Sequence, residues 1–141
     1  MSDTVVDSSV AAKWILPEAD SAQALRVVTD ISQAGGRVIL LDLALLEITS
    51  AIWKRLHRGL ISLMEARQFL DELLRSPVSL ESANRLLRPA FEIAAKYDRS
   101  IYDALFVALT QDLGFPGVTA DEPLYQAVHS DFPQVVLLLD W

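Results

Sequence analysis

The sequence contains no cysteine and only two histidines, His57 and His129. Disulfides, thiolate zinc sites and thiol nucleophiles are therefore excluded together, and a histidine-rich metal centre is ruled out with them. Any metal ion bound here would be held by oxygen, the ligand class of magnesium and manganese. No apolar run reaches the roughly eighteen residues that a membrane span requires. Positive charge is scarce: 12 Lys and Arg stand against 19 Asp and Glu, for a net charge of −7. Such a chain is a poor generic binder of nucleic acid, because phosphate contacts come from Lys and Arg. Acids gathered around a metal ion count differently from acids spread over a surface. Residues 1–4 carry no basic region and no signal-peptide layout, so a cytoplasmic protein with no membrane association is expected. Linkers, low-complexity tracts and internal repeats are also missing.

What is present is apolar. Hydrophobic residues make up 52% of 141 positions, enough for one domain, 1–141, with a real core. Residues 4–7 form a short β-branched run ending in an acid, a strand by composition. Helices are expected over 8–15, stopped near Pro17, and over 21–34, closed by Gly35 and Gly36. A second strand follows at 37–41, then a helix over 43–58 closed by Gly59. Ser62 and Glu65 form a capping box for a helix running to about Arg75. Residues 78–80 read as a weak strand. Residues 82–97 are helical, with a break or new start at Pro89. Ser100 caps a helix running to about Leu113, a strand covers 117–120, and a short helix opens at Asp121. Residues 135–139 complete the pattern as a last strand. Strands alternating with helices imply an α/β domain whose mainly parallel central sheet is flanked by helices. In such sheets ligands sit beyond the carboxyl ends of the strands, where strand order switches.

The helix after Ser100 draws attention because Asp103 lies among apolar positions 101, 104, 105, 108 and 109. A lone carboxylate there is costly unless something pairs with it, although a first-turn acid also suits the helix dipole. Asp7 ends the first strand and Asp121 follows the fourth; either can serve simply as a helix cap. Glu47 shares a helical stripe with Ser50 and Lys54 and can be no more than a polar edge. If all four converge, their repulsion in one cleft demands a cation, and hard oxygen ligands around magnesium suit phosphate chemistry.

The segment Val5-Val6-Asp7-Ser8-Ser9-Val10-Ala11-Ala12-Lys13-Trp14 resembles the opening of PIN-domain proteins, particularly the VapC-type toxins of prokaryotic toxin–antitoxin pairs. Glu47 matches the second acid of that family, Tyr102-Asp103-Ala104 the third, and Thr119-Ala120-Asp121 the fourth. The resemblance implies a PIN-like fold and a magnesium- or manganese-dependent endoribonuclease. It also implies Asp7, Glu47, Asp103 and Asp121 as catalytic metal ligands, with the hydroxyls of Ser9 and Thr119 ordering the site. It further implies an RNA substrate, a cognate antitoxin protein and a homodimer, with the helix over 62–75 contributing to those contacts. Two departures stand out: Leu41-Asp42-Leu43 replaces a Pro-led segment, and Ser50 stands where Asn is common. Lys13, Lys54, Arg55 and Arg58 are candidates for gripping the phosphate backbone, although the last three also suit a helix C-terminus. Trp14 and Trp53 read as packing residues, and both histidines as surface or boundary residues. Two alternatives stay open: a catalytically silent PIN-fold binding module, and a phosphotransfer domain with Asp7 as nucleophile. The second usually carries a further Asp two positions on, where Ser9 stands.

Overall fold

In the computed structural model, which describes residues 3–141, the strands are β1 (Thr4–Val6), β2 (Val38–Leu41), β3 (Ser79–Glu81), β4 (Gly117–Thr119) and β5 (Val135–Leu137). The helices are α1 (Ser8–Ile15), α2 (Ser21–Gln33), α3 (Asp42–His57), α4 (Leu63–Arg75), α5 (Leu87–Tyr97), α6 (Ile101–Leu113) and α7 (Glu122–Val128). The five strands form one sheet in the order β3-β2-β1-β4-β5, and every pairing is parallel.

Side-chain alternation along the strands divides the interior into two cores. Val6, Val38, Leu40 and Val118 point to one face, where α1, α2 and α3 cover them through Val10, Ala11, Ala24, Val27 and Ile48. Val5, Ile39, Leu41 and Val135 point to the other, against Ala90 and Ile93 of α5 and the apolar run Ala104–Leu109 of α6. Helix α6 is buried almost all round, from Ala104 to Thr110; Ile101, expected inside, is at the surface.

The helix ends follow the local chemistry. Ser62 and Glu65 make a reciprocal capping box, and the Ser100 side chain accepts from the Asp103 N–H. The Gly36 N–H returns to the Ile31 carbonyl across Gly35, which has φ +76°, a left-handed C-terminal cap. Pro89 lies in the first turn of α5, after a separate 3₁₀ turn at Asn84–Leu86. The last strand is shorter than the sequence suggests: residues 138–140 coil into a 3₁₀ turn. Their apolar pattern suits a strand, but β5 pairs only with Gly117–Thr119, and beyond Thr119 the ladder has no partner.

Chain order sets the position of the site. From β1 the chain builds outward to β2 and β3, then returns to the other side of β1 for β4 and β5. Strand order therefore reverses between β1 and β4, and the carboxyl ends of those strands carry Asp7 and Asp121.

Candidate active site

Asp7, Glu47, Asp103 and Asp121 line one cavity of about 320 Å³, together with Ser8, Ser9 and Tyr102. Each acid comes from a different element. Asp7 is the N-cap residue of α1, and its own N–H bonds the Val118 carbonyl at 2.9 Å, which locks it to β4. Glu47 projects from the second turn of α3, Asp103 from the first turn of α6, and Asp121 caps α7 by accepting from the Leu124 N–H at 3.0 Å.

Asp7 is the most tightly held. Ser9 Oγ donates to its Oδ2 at 2.7 Å and Thr119 Oγ1 donates to the same oxygen at 2.8 Å. The two hydroxyls in turn accept the backbone N–H groups of Ala120 (3.0 Å) and Asp121 (3.1 Å). Each hydroxyl is thus both donor and acceptor, and together they tie the end of β1 to the end of β4. With both protons committed to Oδ2, the 3.3 Å approach between the hydroxyls is a packing contact. Burial pushes the Asp7 carboxyl above the ordinary aspartate range; the two hydroxyls pull the other way, and the charges of Asp103 and Asp121 add to the rise. Glu47 is raised for the same first reason, with Asp7 and Asp103 contributing and a hydrogen bond from Ser8 opposing. It stands at the rim, exposed as a residue.

Asp103 does have a partner. Arg99 Nη2 donates to its Oδ2 at 3.1 Å, an ion pair four residues apart. The spacing is visible in the sequence, yet Arg99 was not among the expected site residues, because it precedes the helix that carries Asp103. Ser8 and Tyr102 are two further residues at the cavity that spacing did not mark; Tyr102 is 58% exposed.

The expected phosphate-gripping cations are placed elsewhere. Lys13 is bound to Glu18 at 2.7 Å and Asp20 at 3.0 Å, and Arg55 reaches Glu18 at 3.5 Å. These four residues join the end of α1, the following turn and α3, so Lys13 and Arg55 are engaged in internal pairs. Lys54 and Arg58 are exposed at the C-terminal end of α3, and none of the four lines the cavity. Trp14 packs as expected, donating to the Ala24 carbonyl at 2.9 Å. Trp53 does not: it is 58% exposed and stacked on His57.

The donor set suits a hard divalent cation: all four side chains are carboxylates, and burial, with the charges of their neighbours adding, raises two of them. Among the described residues, no group of three such side chains stands as a ready-made metal cage. Three of the four are held by other partners: Asp7 by two hydroxyls, Asp103 by a guanidinium and Asp121 by a backbone N–H.

Comparison with known proteins gives concordant results. The model of the PIN domain family matches residues 4–129. Ribonuclease VapC3 of Pyrobaculum aerophilum is 34% identical over 134 residues, spanning 94% of this chain and 96% of the relative. Among solved structures, the fold resembles Mycobacterium tuberculosis VapC20, a Sarcin-Ricin loop cleaving toxin, with a TM-score of 0.64 at 21% identity over 89% of this chain and 95% of that one. It also resembles a toxin-antitoxin complex from Klebsiella pneumoniae, with a TM-score of 0.64 at 14% identity over 96% and 98% of the two chains.

Proposed function

This chain belongs to the PIN domain family, and from that premise we propose that it is a VapC-type endoribonuclease, the toxin of a toxin–antitoxin pair, with its active site in the acidic cavity. The observation that carries the reading is the convergence of Asp7, Glu47, Asp103 and Asp121, from four separate elements, on one cavity. We assign these four as ligands of magnesium or manganese. When bound, the cation supplies Lewis-acid charge at the scissile phosphate and a more acidic water for hydrolysis.

The residues divide the remaining work. Asp7 is fixed by Ser9 and Thr119 through Oδ2, and neither hydroxyl engages its Oδ1. Asp121 is anchored through its capping bond, and Asp103 sits at a helix N-terminus whose dipole supports an anion. Glu47, at the rim, is the acid with most room to move. Ser9 is a positioning residue, since its proton is held by Asp7 and its lone pair by a backbone N–H. Tyr102, exposed beside Asp103, offers an aromatic face to a nucleotide base.

An antitoxin partner is supported by apolar side chains left at the surface of α3, α4 and the turn between them: Leu46, Trp53, Leu60, Leu63 and Met64. Exposed apolar groups of this size mark protein contacts when they gather. A homodimer is supported by a second exposed set, Leu87 and Phe91 of α5.

The test is RNA cleavage by the purified chain with manganese, with magnesium and with chelator. Cleavage is expected only with metal, and Asp7→Asn or Asp121→Asn should reduce it by orders of magnitude while the fold persists. Full activity in chelator, or in either variant, would refute the assignment.

A further inference from the structure

Arg99 lies beside the acidic cavity, and its pairing is incomplete. Its Nη2 meets Asp103 Oδ2 at 3.1 Å, while its buried Nε has no hydrogen-bond partner among the described residues. Arginine–carboxylate pairs are frequently bidentate, with two parallel N–H donors; here a single contact forms and an adjacent buried donor is left unsatisfied. The backbone beneath it is fixed nonetheless. Helix α5 ends on Asp98 in the left-handed conformation (φ 54°), the Arg99 N–H returns to the Ala94 carbonyl at 3.2 Å, and Ser100 starts α6 at once. The turn therefore presents the Arg99 side chain at the first turn of α6, where Asp103 stands. Both side chains are 24% exposed, so solvent screens the pair only in part.

We propose that Arg99 is a built-in counter-ion that competes with the divalent cation for Asp103. In the metal-free chain it neutralises one of the four converging acids; on metal loading the cation takes over Asp103 and the guanidinium is released. The half-satisfied pairing suits that exchange, because little hydrogen bonding is lost when the arginine leaves. The consequence is a site that loads metal less readily than its four carboxylates alone would. This inference rests on the metal-site reading above and makes Arg99 a positioning residue within it.

The experiment measures manganese binding to the full chain by calorimetry, without RNA, for the wild type, Arg99→Gln, Arg99→Lys, Asp103→Asn and the Arg99→Gln/Asp103→Asn double variant. Arg99→Gln should bind manganese about three- to tenfold more tightly, the scale of removing one partly screened ion pair. Arg99→Lys, which restores a competing charge, should return towards the wild-type affinity. In the Asp103→Asn background, Arg99→Gln should change affinity little, because the competition runs through Asp103. Unchanged or weaker binding by Arg99→Gln would overturn the proposal, as would equal tightening in the Asp103→Asn background, which would mean that the arginine acts only as a distant charge. Absence of manganese binding in every protein, wild type included, would overturn the metal-site reading and this inference with it.

Discussion

Asp7 is the residue at which stability and chemistry pull in opposite directions. Burial raises its carboxyl above the ordinary aspartate value, so the folded chain binds this proton more tightly than the unfolded chain does. Stability is then greatest at acidic pH for this group, and falls as pH rises from about 3.9 through the raised folded value. Glu47 acts in the same direction. In chelator at neutral pH, Asp7→Asn should therefore melt above the wild type, with the gap closing as pH falls towards 4, while RNA cleavage is lost. Melting curves across that range check it; a variant that melts lower at neutral pH would show that the charge is not a burden. The hydroxyls give a second prediction. Ser9→Ala or Thr119→Val removes a donor to Asp7 and leaves the Ala120 or Asp121 N–H without its acceptor. Each should cost about 1–3 kcal/mol in urea unfolding. At this scale the sequence was informative about anions and less so about cations. The four acids stand in recognisable motifs. Lys13 is engaged by Glu18 and Asp20 across the turn at Pro17, and only the three-dimensional course of that turn reveals it.

At the scale of elements, α6 and β4 set the distance between Asp103 and the sheet. Gly117 makes their approach possible: a Cβ there would lie 2.3 Å from Thr110 Cγ2 and 2.9 Å from Phe106 Cζ. Gly117→Ala should destabilise the protein by about 1–3 kcal/mol and shift α6 away from Asp7; thermal unfolding gives the first effect and loss of RNA cleavage the second. Ser100→Ala removes the α6 cap and should cost about 1 kcal/mol. Helix limits were legible because they are written in capping residues, such as Ser62 with Glu65, Gly35 and Gly59. The C-terminal limit of β5 was not, because a strand ends where its neighbour ends, and β4 lies eighteen residues away in sequence (117 against 135). Sheet order was beyond local patterning for the same reason.

For the whole molecule, a cation that binds the folded chain alone stabilises it by mass action. Manganese at about a hundred times its dissociation constant should contribute about 2.7 kcal/mol, roughly 8 °C in melting temperature for a domain of this size. The rise should be absent in Asp7→Asn, and differential scanning fluorimetry decides it. The placement of β1 at the centre of the sheet, between β2 and β4, has a consequence in time as well as in space. The segment that carries Asp7 leaves the ribosome well before its partner strand, with Thr119 and Asp121, which emerges more than a hundred residues later. Pairing across so long a stretch of chain is slow and belongs to the closing steps of folding. A nascent chain halted before residue 117 lacks the Thr119 hydroxyl, one of the two that orient Asp7, and the Asp121 carboxylate. The acidic cavity is thus assembled only after β4 and Asp121 have emerged, and until then the chain lacks the site proposed to cut RNA while it is still attached to the RNA encoding it.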